Sequence, residues 1–427
     1  MKKFLCLFIA AAMLLPLSSC VSSSPEEPAA STDAALLIYN SETDADNRYL
    51  NAPDSITELD NVFIWHKDTL GTFYYYDKES GSGGVLCNKP DCTHDSEECG
   101  GISGGARPTV WYYEGKLHWL MLRTQNPNER LISRMNLDTT QREIFMTIPD
   151  IPELGIPLIK TFLHRGKIFL ERRGQVVEQG EPKWRYHLSI CDVITHDASE
   201  EKTVLEFDAE DSFSQSVLYY CLGSRVYILS NYNDGEYKLM IWMYDIEKDS
   251  LSVVTDITFE NDDFYYGSFK VTPEGDIYLA SFPMTLEDNV KVCRIVDNRL
   301  TDFMYFEDED FIGATPFVCE DTLLAIKQID PGTSNYRIWV KDYEGNTLYK
   351  GELTTGFKEG HEPGFQCTGC NYIYASKERI IIDFIESKLV NTEPTASYDY
   401  LIEYEITENG LVEKPLVIAV DLSVSNI

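Results

Sequence analysis

Beyond residue 50 the chain is a succession of short apolar runs rich in Tyr, Ile, Val, Leu and Phe, broken by Gly, Asp and Asn. Runs of that length and composition, bounded by turn formers, predict β-strands, and helical periodicity is nearly absent. One pattern recurs: a strand rich in Ile, Tyr or Leu, a polar turn, a second strand often ending in Asp, and a short third strand. It starts at Asn61-Val62-Phe63-Ile64-Trp65, Gly115-Lys116-Leu117-His118-Trp119 and Gly166-Lys167-Ile168-Phe169-Leu170. It continues at Ser224-Arg225-Val226-Tyr227-Ile228, Gly275-Asp276-Ile277-Tyr278-Leu279, Asp321-Thr322-Leu323-Leu324-Ala325 and Glu378-Arg379-Ile380-Ile381-Ile382. The steps between starts are 54, 51, 58, 51, 46 and 57 residues.

Periods in this range fit one four-stranded propeller blade each. A single blade cannot bury both faces, whereas a closed ring buries every face and protects the strand edges. The pattern therefore predicts an all-β chain, a β-propeller over residues 51–420 with a tail at 421–427. Seven blades are expected; six or eight stay open, because the first unit could merge with a closing strand. Trp242-Met243-Tyr244-Asp245-Ile246 and Trp339-Val340-Lys341-Asp342-Tyr343 occupy corresponding places in their repeats. A tandem of β-sandwiches is the alternative architecture.

The N-terminus differs. Lys2 and Lys3 precede an apolar run from Phe4 to Leu17, too short to read first as a membrane span. The run ends in Leu17-Ser18-Ser19-Cys20, which resembles a bacterial lipobox. That resemblance implies a signal peptide over 1–19, a lipid on Cys20 and an extracytoplasmic protein anchored to the cell membrane. Residues 21–35 are rich in Ser, Pro, Glu and Ala, so 20–50 is expected to be a flexible tether.

The formal charge is −34, and −36 without the two lysines of residues 1–19. Such a chain is repelled by nucleic acid, which excludes that class of partner. Phe207-Asp208-Ala209-Glu210-Asp211-Ser212-Phe213 recurs as Phe259-Glu260-Asn261-Asp262-Asp263-Phe264 and Phe306-Glu307-Asp308-Glu309-Asp310-Phe311. Each copy falls between the last strand of one unit and the first of the next, so a ring would gather these acids on one rim. The flanking Phe residues would anchor each loop between blades. An acidic rim of Asp208, Glu210, Asp211, Glu260, Asp262, Asp263, Glu307, Asp308, Glu309 and Asp310 could capture a basic partner or hold calcium. Calcium is the weaker reading, since no copy has EF-hand spacing.

Cys87, Cys92, His94 and Cys99 lie within one short run. Three thiols and an imidazole make a full tetrahedral zinc set. An oxidising exterior favours disulfides instead, while His94 favours a metal; either way the role is structural, because four protein ligands leave no open position. This run, with the lipobox and the propeller repeat, resembles bacterial lipoproteins with TolB-like or YWTD-like propellers. The residues that carry the resemblance are Cys87, Pro90-Asp91-Cys92, His94 and Cys99. It implies fold and location, not an activity.

Cys367-Thr368-Gly369-Cys370 is a CxxC pair that could be a disulfide or half a metal site. In a seven-unit ring the last unit adjoins the first, so this pair could join the Cys87 cluster in a clasp. Cys191, Cys221, Cys293 and Cys319 include several in strand-like runs, where a buried thiol is expected. Gly101-Ile102-Ser103-Gly104-Gly105 matches GxSxG without a strand-to-helix elbow and reads as chance. His66, His118 and His187 sit in strand-like runs as structural histidines. No catalytic set emerges. The sequence points to an anchored propeller that binds an envelope protein, peptide or glycan on its acidic rim. The alternative is a propeller-type glycosidase or lyase using rim carboxylates.

Overall fold

The computed structural model describes residues 44–421, apart from 53–54, 68–70, 97, 104–105, 122–128, 152–157, 179, 210–215, 260–265, 282–289, 331–334, 354–364 and 391–392. Twenty-eight strands form seven antiparallel sheets of four, each built from consecutive strands. The blades span residues 55–85, 106–149, 158–209, 216–259, 266–305, 315–353 and 365–421. The seven-blade expectation is met. The recurring motif, however, marks the second strand of each blade, such as Val62–Lys67, Lys116–Met121 and Arg379–Val390. An inner strand precedes each one, from Ser55–Glu58 to Phe365–Ala375. These inner strands carry a weaker apolar signal, so the repeat boundary read from the sequence falls one strand late.

Alternation explains the ring. In Val62–Lys67, Phe63 and Trp65 enter an apolar cluster with Ile373, Tyr374, Ile381 and Leu401 of the seventh blade. Ile64, between them, enters a cluster with Leu117, Trp119 and Met135 of the second. Period-two side chains thus serve two neighbours at once. Seven such clusters occupy the seven blade-to-blade interfaces. In every blade but the first, the pairing of third and fourth strands carries a register shift. A bulge there bends and twists the outer strand.

The ring closes without a shared strand. The first and seventh blades pack through side chains and a close approach of Gly83 to the Leu416 backbone, with an apolar cluster between two ionic ones. At one end Arg379 grips Glu58 at 3.0 and 2.7 Å, and Lys78 and Arg48 add ion pairs to the same carboxylate. Burial opposes the Glu58 charge, but the bonds from Arg379, Lys78 and Tyr49 outweigh it and hold the carboxyl at about 2. At the other end the Lys67 ammonium lies 2.9 Å from Asp383 and 3.2 Å from Asp399, all three buried.

One departure from expectation follows. Residues 44–50, assigned to the tether, are docked: Asp44, Ala45 and Tyr49 are buried and Asn47–Tyr49 is a 3-10 turn. Polar composition hid this, because the docking uses side-chain amides and carboxylates rather than an apolar stripe. Residues 1–19, expected to be a signal peptide, and Cys20 lie outside the described residues. Among the described residues no helix is long and apolar enough to cross a membrane.

Removing one partner of a buried ion cluster strands the other charges. Lys67→Met is therefore expected to destabilise the ring by about 3–5 kcal/mol, measured by denaturant unfolding, with Asp383→Asn milder. A second expectation concerns acid. His66 is fully buried and neither ring nitrogen has a hydrogen-bond partner among the described residues. Burial depresses its pKa from 6.5 to about 3. Burial, then the charges of Arg134 and Lys116, bring His118 to about 3 as well. A folded pKa below the unfolded one means the unfolded chain takes up the proton first. This contribution is complete above about pH 6.5 and is lost progressively as pH falls toward 3. His66→Leu should raise the melting temperature at pH 5 more than at pH 8.

Candidate metal centre

The cluster sits at a break in the first blade. Its outer strand, Ser82–Val85, is short. Leu86 N–H donates to the Phe73 carbonyl at 2.9 Å, and Phe73 N–H donates to the Gly101 carbonyl at 2.8 Å. The two backbone groups of one residue, which a regular ladder would give to one partner, are divided between residues fifteen positions apart in the chain. Residues 87–100 are therefore an excursion inserted into an outer strand that resumes at Gly101 and Ile102, the latter bridged to Thr72. The two legs approach so closely that a Cβ on Gly101 would lie 2.8 Å from the Leu86 carbonyl oxygen.

All four candidate ligands converge inside this excursion. The Sγ atoms of Cys87, Cys92 and Cys99 and a ring nitrogen of His94 lie within 4.8 Å of one another. Tetrahedral zinc with Zn–S near 2.3 Å needs ligand atoms about 3.8 Å apart, a contraction within reach of side-chain rotation. His94 adopts φ 58°, a left-handed conformation that turns the chain back. Its Nδ1 lies 3.2 Å from Cys99 Sγ. Backbone amides face the sulfurs: Gly101 N–H reaches Cys99 at 3.3 Å and Lys89 N–H reaches Cys87 at 3.5 Å. Burial opposes ionisation of Cys87, yet the Lys89 amide, the Cys99 and Cys92 thiols and the Gly100 amide hold its pKa below the ordinary value. Burial pushes Cys99 up to about 12 against the Gly101 amide, with Cys92 and Cys87 adding to the rise. A cluster in which one thiol ionises and suppresses its neighbours is one that a divalent cation would deprotonate together.

All nine described cysteines are free thiols. Any one disulfide within the cluster would leave a third thiol and the imidazole facing it, whereas a metal uses all four. The excursion also reaches the second blade. Asn88 N–H donates to Thr139 Oγ1 at 3.3 Å, and Arg142 donates to the carbonyls of Ile102 and Ser103 at 2.6 and 2.9 Å. The cluster thus follows the outer strand Ser82–Val85, and it bridges the first and second blades. It is not beside the ring closure.

The predicted clasp does not form. Cys367 and Cys370 belong to the inner strand of the seventh blade and pack toward the sixth, in a cluster with Ile338 and Phe384. Tyr336 Oη lies 3.4 Å from Cys367 Sγ. They face away from the first blade because the register shift between Cys367 and Gly369 alters the side-chain alternation. Cys191 and Cys293 are buried within strands, as expected, Cys319 is buried just past Thr315–Val318, and Cys221 is half-buried. Ser103 is fully buried with its hydroxyl donating to Gly71, so the GxSxG match has no nucleophile.

Of the ten acids expected on a rim, five lie among the described residues, and three of those five are paired with cations. Phe306 and Phe311 are buried against Trp339, anchoring that loop as expected. Two of its four carboxylates are matched, though: Asp308 caps the turn Glu309–Phe311 and pairs with Lys350, and Asp310 pairs with Arg337. Asp208 takes a two-pronged bond from Arg185 at 2.7 and 2.8 Å. Glu307 and Glu309 are exposed. Glu210, Asp211, Glu260, Asp262 and Asp263 lie outside the described residues. Composition counted acids, and the third dimension supplied cations from strands far off in the chain.

If the excursion depends on close approach of its legs, Gly101→Val should separate the ligands. The expected result is full reactivity of Cys87, Cys92 and Cys99 toward a thiol reagent, with the far-ultraviolet strand signal retained.

No family model matches the chain, and no curated protein does. Solved structures resemble it at low identity. The β-propeller domain of the trilobed protease from Pyrococcus furiosus is 12% identical over 83% of this chain and 93% of that one, with a TM-score of 0.40. The acylaminoacyl peptidase of Pyrococcus horikoshii is 10% identical over 86% of this chain and 53% of that one, with a TM-score of 0.43. A 6-phosphogluconolactonase assignment from Bacteroides uniformis is 12% identical over 82% and 94%, with a TM-score of 0.40. These likenesses concern the fold.

Proposed function

We propose that this chain is a lipid-anchored, extracytoplasmic propeller that binds an envelope protein, a peptide or a glycan, and that its Cys87, Cys92, His94 and Cys99 hold a structural zinc. One observation carries the metal assignment: three sulfurs and an imidazole nitrogen converge within 4.8 Å. Four protein ligands complete a tetrahedron and leave no position for substrate or water, so zinc here holds structure and does no chemistry. Its physical work is to close the gap in the first blade's outer strand. The binding assignment draws on the pairing of Asp208, Asp308 and Asp310 with cations, which leaves these carboxylates poorly suited to acid–base roles. The anchor rests on the Leu17 to Cys20 run.

Metal analysis of purified protein should find one zinc per chain with Cys87, Cys92 and Cys99 all reduced. A Cys87, Cys92 or Cys99 disulfide with no zinc would overturn the metal assignment. Cys20→Ala should move the protein from the membrane fraction to the soluble one. Glycan arrays and in-cell crosslinking should return a saturable ligand that is recovered unchanged; turnover of the bound ligand would overturn the binding assignment.

A further inference from the structure

Residues 44–52 form no strand of any blade, yet they touch the inner strands of five. Asp44 Oδ1 accepts from Arg165 N–H at 3.0 Å, and Asn47 Nδ2 donates to the Leu163 carbonyl at 3.1 Å, both at the end of the third blade's inner strand. Lys160 Nζ of the same strand donates to the Leu50 carbonyl at 2.6 Å. Asn51 turns its amide on the fourth blade's inner strand, donating to the Tyr219 carbonyl at 2.7 Å and accepting from Tyr219 N–H at 3.0 Å. Ala45 packs beside Trp111 of the second blade. On the other side, the Tyr49 ring lies 5.5 Å from that of Tyr374 in the seventh blade. Its hydroxyl donates to Glu58 of the first at 2.8 Å, and Arg48 approaches the same carboxylate at 3.0 Å.

The inner strand of a blade has a backbone edge with no strand beyond it. Asn51 satisfies both groups of Tyr219 as a neighbouring strand would. Glu58, in turn, is the residue through which Arg379 joins the seventh blade to the first. The segment therefore links the ring's only seam lacking a chain connection to blades on its far side. A void of about 30 Å³ beneath it, lined by Asn47, Ile56 and Phe162 among others, is room for about one water.

We propose that residues 44–52 are a closure pin: an N-terminal segment that holds the seam between the seventh and first blades from inside, in place of a shared closing strand, by tying Tyr374 and Glu58 to the inner strands of the third and fourth blades.

Hydrogen exchange on the full chain tests this. Asn51→Ala removes the grip on Tyr219 and touches neither seam strand. Exchange in Val62–Lys67 and Arg379–Val390 should quicken at least tenfold. Val292→Ala, a core truncation in the fifth blade brought to the same melting temperature, should leave those strands at the wild-type rate. Faster exchange confined to Tyr219 and its neighbours would overturn the pin, as would equal seam exchange in the Val292 variant. Should Asn51→Ala not fold, Asn47→Ser gives the same comparison from the third blade.

Discussion

The seam between the first and seventh blades is the constraint on which the rest of this structure depends. Six of the seven blade junctions are crossed by the chain itself; this one is not. A ring of sheets gains its burial only when closed, because each blade's two faces need two neighbours. The seam supplies that closure with side chains from opposite ends of the sequence. Lys67 and Asp383 are 316 positions apart, and Glu58 and Arg379 are 321 apart. Between these ionic clusters Phe63, Trp65, Tyr74 and Tyr76 pack against Ile381, Leu401, Leu416 and Val417. Apolar burial provides attraction without direction. The buried charges provide direction, since a seam out of register would leave a carboxylate or an ammonium unpaired in a dry interface.

The Cys/His excursion answers a different problem in the same blade. Six blades complete their outer strand with a register-shifted pairing, while the first interrupts it with residues 87–100. A strand broken at Leu86 and resumed at Gly101 pays the ordering entropy of the intervening loop. In the proposed zinc site, the four ligands would offset that cost by a few strong local bonds instead of a core the excursion is too small to build. The contacts of Arg142 and Asn88 then carry the ordered loop to the second blade. The Cys/His cluster and the ionic seam thus lie on opposite flanks of one blade.

Much of this was legible in the sequence for a simple reason. Tyr227, Leu229, Leu239 and Ile241 lie in apolar runs whose period and spacing repeat, and a repeat of half-buried strands has few closed solutions. The four ligands were legible because they are close in sequence. What failed to show was anything depending on distant partners. Asp208, Asp308 and Asp310 read as a free acidic surface because Arg185, Lys350 and Arg337 stand elsewhere in the chain. Cys367 and Cys370 read as partners for Cys87 because a blade count places blades side by side but does not say which face a side chain takes. Asp44 to Leu50 read as tether because docking by amides leaves no hydrophobic pattern.

The sequence by itself determined the strand content, the blade-length repeat and the gathering of Cys87, Cys92, His94 and Cys99, since all three are set by local pattern and short spacing. Only the tertiary structure decided which strand of each blade lies innermost, how the ring closes, which carboxylates keep their charge exposed and where the N-terminal segment docks. Each of those turns on side chains brought together across hundreds of residues, and the energy of such a pairing resides in neither residue alone.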